Sequence, residues 1–89
     1  MMAMVTTEEG AEILALQALG GLAGQDEARG RFLALAGLAV TDLREVADSR
    51  DTHRAVLDFL LADEELLLDF CEMAQIPPKS MPLYRHKLG

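Results

Sequence analysis

Residues 53–74 read HRAVLDFLLADEELLLDFCEMA, and this stretch decides the fold class. In its first half, apolar side chains recur at the spacing i, i+3, i+4, i+7 and i+8, which is the buried stripe of an amphipathic α-helix. These residues are His53, Val56, Leu57, Leu60 and Leu61. Ser49 or Asp51 is the predicted start of this helix, and Ala62 is its predicted end.

Asp63 predicts the start of the next helix, because an aspartate can cap the free backbone N–H groups of a first turn. Glu64 and Glu65 follow it, where negative charge interacts favourably with the helix dipole. Pro77 and Pro78 predict its end. Its expected inward residues are Leu66, Leu67, Phe70, Cys71 and Ala74, and its expected outward residues are Glu65, Asp69 and Glu72.

The remaining chain contains further short helical segments. Thr6, with Glu9 three residues later, predicts a capping box for a helix that ends near Leu22. Asp26 predicts a helix over about 27–36, and Thr41 predicts one over 42–48. The expected fold is therefore all-α: a compact bundle of five or six short helices with orthogonal or irregular packing. We expect a disordered tail at 1–5, one helical domain over 6–78, and a basic C-terminal tail or short last helix at 79–89.

Composition excludes several classes of function. The 89 residues are 51% apolar and carry 8 Lys and Arg against 15 Asp and Glu, which gives a net charge of −7. This balance argues against a nucleic-acid partner, since binding to nucleic acid requires clustered cations. The longest uncharged run, residues 13–25, is too short and too rich in glycine to span a membrane. A single cysteine and an N-terminus without a signal-peptide pattern predict a cytoplasmic protein.

Three segments resemble a known family. GRFLALAGL (30–38), TDLREVA (41–47) and VLDFLLADEELLLDFC (56–71) are similar to small alphaproteobacterial proteins that are known only as a domain of unknown function. The resemblance extends from about Glu12 to Pro78 and implies a compact all-α fold, but no activity, cofactor or catalytic residue. The family pattern is usually apolar at positions 52 and 53. Thr52 and His53 therefore imply looser packing at the start of that helix.

His53 and Cys71 are the residues whose chemistry is most suggestive. His53 could be a pH-sensitive or ligand-contacting group, although a partly exposed side chain covering the core edge is the favoured interpretation. Cys71 lies on an apolar stripe among acidic neighbours, and nearby carboxylates raise a thiol pKa. We therefore interpret it as a core residue, and the sequence predicts no catalytic residue, metal site or cofactor.

The charged residues are unevenly distributed. Six carboxylates lie between Asp58 and Glu72, where helix capping and a solvated face explain them without a metal. Lys79, Arg85, His86 and Lys87 form the one basic cluster, which either docks on the acidic helix of its own or a neighbouring chain or remains a solvated tail.

The first helix has no polar face, because its leucines and Ile13 are spread around the helix. Leu14, Leu33 and Leu68 also lie off the main stripes, which indicates either an exposed patch or a broad core contact. The predicted interaction surface comprises Ile13, Leu14, Leu16, Leu19, Leu68, Glu65, Asp69 and Glu72. We accordingly predict a protein–protein interaction module with an unidentified partner. The alternatives are a structural or regulatory homo-oligomer and, less favoured, a small-ligand carrier or enzyme.

Overall fold

Six α-helices and one 3₁₀ helix follow one another along residues 7–89, the part of the chain that the computed structural model describes, except for the side chain of Val40. They are α1 (Glu8–Ala23), α2 (Asp26–Ala36), α3 (Val40–Val46), α4 (Arg50–Leu61), α5 (Glu64–Ala74), the 3₁₀ helix (Pro78–Ser80) and α6 (Met81–Lys87). No strand occurs in this part of the chain. The predicted all-α class and short helices are confirmed. The predicted tail at 1–5 and the predicted cap Thr6 lie outside the described residues.

Side-chain caps fix the starts of three helices. The hydroxyl oxygen of Thr7 accepts a hydrogen bond from the Gly10 N–H at 3.0 Å, so the cap of α1 is Thr7. Ser49, one of the two predicted alternatives, caps α4. Asp63 caps α5 as predicted, and its carboxylate accepts a hydrogen bond from the Leu66 N–H at 3.2 Å. Such caps satisfy backbone donors that have no partner inside the helix.

Two predicted caps are wrong by one or two residues. Asp26 is the first residue of α2 and follows the cap residue Gln25. In α3, the Asp42 carboxylate accepts a hydrogen bond from the Ala39 N–H at 3.0 Å, which moves the helix start ahead of Thr41. The Asp42 carboxylate thus makes the reciprocal half of a capping box in α3, whereas α2 has no side-chain cap.

Helices α2 and α5 both end at a residue in the left-handed region. Gly37 ends α2 with φ 71°, a conformation that its lack of a Cβ permits. Gln75 ends α5 with φ 59°, two residues ahead of the prolines that were expected to end it. At both ends a backbone N–H reaches back five residues, from Leu38 to Leu33 and from Ile76 to Cys71. This pairing satisfies the last carbonyls of each helix.

The core forms around the contact between α1 and α4. Helices α2 and α6 each pack on both of these helices, whereas α5 packs on α4. An edge-to-face contact between Phe32 and Phe59, with ring centroids 5.5 Å apart, joins α2 to α4. The fully covered residues at the centre include Ala11, Leu14, Ala15, Val56, Leu57, Met81 and Leu88.

Helix α1 does have a buried face, although its sequence does not mark one. Leu14 is fully buried and Leu19 is 6% exposed, so these two residues belong to the core and not to the predicted interaction surface. The reason is that α2, α4 and α6 together cover one side of α1. Ile13 and Leu16 point away from that side and are 44% and 39% exposed. Leu33 is buried as well.

The C-terminal segment contributes to the core. Met81, Tyr84 and Leu88 are buried, and they lie on one face of the short helix α6 and just beyond it. The carbonyl oxygen of Leu88 accepts hydrogen bonds from Arg50 at 3.2 Å and from Arg54 at 3.0 Å. Two guanidinium groups of α4 therefore hold the backbone of residue 88 in place.

The start of α4 is packed tightly. Thr52 and His53 are both buried, so the looser packing that the family pattern implied is not found. Thr52 and His53 lie in the first turn of the helix, behind the Ser49 cap.

We predict that Leu14→Ala lowers the free energy of unfolding by about 2–5 kcal/mol, because it leaves a cavity in the core. Leu16→Ala, two residues along the same helix, should cost less than about 1 kcal/mol, since surface positions tolerate substitution. Urea unfolding followed by circular dichroism measures both values. Similar losses for the two variants would contradict the assignment of the buried face.

Candidate functional site

Helix α5 presents its acidic side chains to solvent. Glu65, Asp69 and Glu72 are exposed, and Leu68 lies among them with 46% of its surface exposed. Phe70 and Cys71 are the buried residues of the helix. The residues predicted to face outward on α5 therefore do so.

An apolar groove runs between α1 and α5. Both helices rest on α4, and a hollow of about 250 Å³ remains between them. We call it the α1/α5 groove; its lining residues are Ala18, Gly21, Leu22, Gln25, Leu60, Leu66, Asp69, Phe70 and Met73. Met73 forms part of the lining and is nevertheless 64% exposed, so one side of the groove opens to solvent.

Gly21 makes the groove deeper on the α1 side. A Cβ placed at Gly21 would meet no atom of the chain within 4 Å, apart from its neighbours in the helix. Packing inside the chain therefore does not require glycine here, although glycine destabilises a helix interior by roughly 1 kcal/mol relative to alanine. Any larger side chain at this position would project into the free space.

An acidic rim borders the same groove. A second hollow shares Gln25, Leu66 and Asp69 with it, and its other lining residues are Asp26, Glu27, Ala28, Arg31 and Glu65. We define the acidic rim as Glu27, Glu65 and Asp69. Within residues 7–89, none of the three forms an ion pair, whereas Asp26 is paired with Arg29 at 3.1 Å and Arg31 is paired with Asp63 at 3.2 Å. The rim is a concentration of carboxylates that have no ion-pair partner in the described part of the chain.

The predicted interaction surface is divided in the structure. Glu65 and Asp69 border the α1/α5 groove, but Leu16 lies on the other flank of α1. There it lines a second groove between α1 and α3, with Leu19, Gly20, Ala23, Leu43, Arg44 and Ala47. The two grooves share no lining residue. Leu16 therefore lines a different groove from the one that Asp69 lines.

Asp63 anchors the loop beside the acidic rim. Its hydrogen bond from the Leu66 N–H holds the pKa of the Asp63 carboxyl below its usual value, and Arg31 at 3.2 Å acts in the same direction. The guanidinium of Arg31 also lies over the ring of Phe59, 5.5 Å from its centre. Because Arg31 already contacts both Asp63 and Phe59, it forms no ion pair with the carboxylates of the acidic rim.

His53 has a structural role at the junction of α3 and α4. Its Nε2 lies 2.7 Å from the carbonyl oxygen of Ala47, the residue that ends α3, and donates to it in the matching tautomer. Its Nδ1 is buried and has no hydrogen-bond partner in the described part of the chain. His53 is therefore buried rather than partly exposed, and it lines neither groove.

Cys71 is buried with only 2% of its surface exposed. Burial raises the pKa of its thiol above the usual value, because the thiolate would lose its hydration. The residue packs in the core with Phe70. Across residues 7–89, no three His, Cys, Asp or Glu side chains come close enough together to hold a metal ion.

The basic cluster is divided between two environments. Arg85 docks on α4, where its Nε donates to Asp58 at 2.6 Å and its Nη2 donates to the same carboxylate at 3.2 Å. Lys79, His86 and Lys87 are exposed. Arg85 therefore docks on an acidic residue of its own chain, which is one of the two expected alternatives. The other three side chains face solvent, which is the second alternative.

The comparison with protein families identifies the chain. The family described as "Protein of unknown function (DUF3572)" matches residues 8–89, which covers all six helices. The chain belongs to the DUF3572 family. The inferred resemblance to a domain of unknown function is confirmed, and the match extends four residues further at the N-terminus and eleven further at the C-terminus than the expected range of Glu12 to Pro78. Comparisons of this DUF3572 protein with curated proteins and with solved structures find no match.

None of the described helices of this DUF3572 protein combines the length and the hydrophobicity that crossing a bilayer requires.

Sequence reasoning missed Gly21 and Met73. Met73 lies one turn beyond Asp69, on the side of α5 away from Leu68. This position could have indicated an exposed apolar residue next to the acidic ones. Gly20 and Gly21 inside a predicted helix were the other available signal. Neither signal shows which other helix lies opposite these residues.

The lowered pKa of Asp63 predicts an acid-sensitive contribution to stability. A carboxyl whose pKa is lower in the folded state stabilises the fold above its unfolded pKa, and this contribution is lost as the pH falls below about 4. The cost of Asp63→Asn should therefore be larger at pH 7 than at pH 3. Urea unfolding of both proteins at the two pH values measures this difference. An equal cost at both values would show that the charge contributes nothing.

Proposed function

We propose that this DUF3572 protein is a non-catalytic binding module that holds another protein in the α1/α5 groove. The observation that carries the proposal is the open apolar lining of the groove, where Met73 is largely exposed beside Gly21. Exposed apolar surface bordered by charged residues is typical of protein-binding sites. The acidic side chains of α5 supply that border.

The lining of the groove favours a protein over a small molecule. Gln25 and Asp69 supply the polar side chains of its lining. A carrier or enzyme would need several convergent polar groups, so these alternatives have less support.

The proposal places the protein in the cytoplasm and assigns it no nucleic-acid partner. The buried free thiol of Cys71 suits a reducing compartment. The net charge of −7 and the acidic rim would repel a phosphate backbone.

A homo-oligomer is the second candidate, and the exposure of Ile13 and Leu16 favours it. Leu16 lines the groove between α1 and α3, whose volume is about 400 Å³. In this alternative two copies would bury that flank of α1 against each other.

Light scattering at high protein concentration tests the homo-oligomer. The homo-oligomer would be supported if the unmodified chain is a dimer and Leu16→Glu converts it to a monomer. The reason is that an interface would have to bury the new carboxylate without an opposite charge to pair with it. Gln17→Glu, at an exposed neighbouring position, is the control and should leave the dimer intact. A monomer for the unmodified chain at every concentration would exclude this candidate.

Photocrosslinking inside cells tests the binding module. A photoreactive phenylalanine analogue at Met73 should give a discrete protein adduct, because a bound partner would lie against this side chain. The same analogue at Leu83, an exposed apolar position on α6, is the matched control. Gly21→Leu in the same chain should abolish the Met73 adduct by filling the groove. No adduct at Met73, or an adduct that Gly21→Leu leaves unchanged, would contradict the proposal.

A further inference from the structure

We propose that the occupant of the α1/α5 groove is an amphipathic helix that carries lysine or arginine beside its apolar face. The inference rests on the proposed binding function and adds the chemistry of the partner. Its basis is the juxtaposition of an apolar groove between two helices with three unpaired carboxylates at its rim.

The apolar part of the groove has the dimensions of a helix-binding site. Leu66, Phe70 and Met73 follow one another at i, i+4 and i+7 on α5, a row that extends over about 10 Å. Ala18, Gly21 and Leu22 form the opposite wall on α1. A row of this length accepts two successive apolar residues of a partner helix at i and i+3 or i+4, as in other helix-in-groove complexes.

Gly21 allows the partner to approach the backbone of α1. Its missing side chain leaves free space, since a Cβ there would meet no atom within 4 Å. Glycine permits such close approach of a ligand to a backbone at the expense of helix stability. Gly20 has the same free space on the other flank of α1, so glycine alone does not select the groove.

The acidic rim selects both the groove and the charge of the partner. Glu27, Glu65 and Asp69 form no ion pair within residues 7–89, and Arg31 is held by Asp63. A cation of the bound helix would therefore meet free carboxylates next to the apolar lining. The groove between α1 and α3 lacks this feature, because none of the described residues that line it is acidic.

A second copy of this chain fits the groove poorly. The basic helix of the chain is α6, but its apolar residues Met81 and Tyr84 are buried in its own core. Arg85 is already bound to Asp58. Leu83 is the one exposed large apolar residue of α6, whereas the groove accepts two successive apolar residues of a helix, so we assign the occupant to a different protein.

Binding of model helices tests the inference. The first probe is a fluorescein-labelled amphipathic peptide of about 18 residues, with leucine on one face and lysine on both flanks. The second has glutamate in place of lysine, and the third has the composition of the first in a scrambled order that removes the apolar face. Fluorescence anisotropy with the full chain measures the three dissociation constants.

The lysine peptide should bind at least about tenfold more tightly than the other two, because only it satisfies both the apolar lining and the rim. Its affinity should fall by about tenfold or more between low salt and about 0.5 M NaCl, where surface charges are screened. Equal binding of the lysine and scrambled peptides would mean that charge alone is recognised, and would overturn the inference.

Two leucine substitutions form a matched pair that locates the site. Gly21→Leu fills the α1/α5 groove and should weaken binding of the lysine peptide by at least about tenfold. Gly20→Leu makes the same change on the other flank and should leave the affinity within about twofold. Both replace a helical glycine that has free space around it, and thermal unfolding checks that both variants fold. Equal effects of the two variants would overturn the placement.

The rim is tested by the double variant Glu65→Gln and Asp69→Asn. It should weaken binding of the lysine peptide and reduce the salt dependence, since two carboxylates lose their charge. Peptide binding and the Met73 crosslink distinguish the two proposals. A crosslink that depends on Gly21, together with no preference for the lysine peptide, would retain the binding module and reject the basic helix. Absence of any crosslink from Met73 in the chain that retains Gly21 would reject the binding module itself.

Discussion

The contact between α1 and α4 is the constraint on which the rest of the structure depends. Small residues of α1, among them Ala11, Ala15 and Ala18, are buried and let the two helices lie close together. Val56 and Leu57 of α4 are fully buried as well. Helices α2 and α6 then dock on both members of the pair, whereas α5 docks on α4. Because α5 rests on α4 beside α1, a groove remains between α1 and α5.

The fold was predictable from the sequence wherever a helix is amphipathic. The stripe of α4 and the caps Ser49 and Asp63 are local signals, and the structure confirms them. In α1 the apolar residues surround the helix, so periodicity could not separate Leu14 from Leu16. Their different burial is decided by α2, α4 and α6, which contact one side of α1 from distant parts of the chain.

The candidate site was only partly predictable for the same reason. The outward direction of Glu65 and Asp69 follows from the stripe of α5 alone, and it is correct. That Gly21 lies across from Met73 depends on how two helices rest on a third, which no local pattern contains. The burial of His53 is a similar case, because its hydrogen bond to Ala47 depends on the turn that joins α3 to α4.

The position of Leu88 in the core affects when the chain can fold. This side chain is fully buried, and its helix packs against α1, so the first and last helices of the domain are in contact. A chain emerging from the ribosome cannot close this core until residue 88 has left the exit tunnel. Until then the surface of α1 that α6 covers stays open to aggregation and to chaperones.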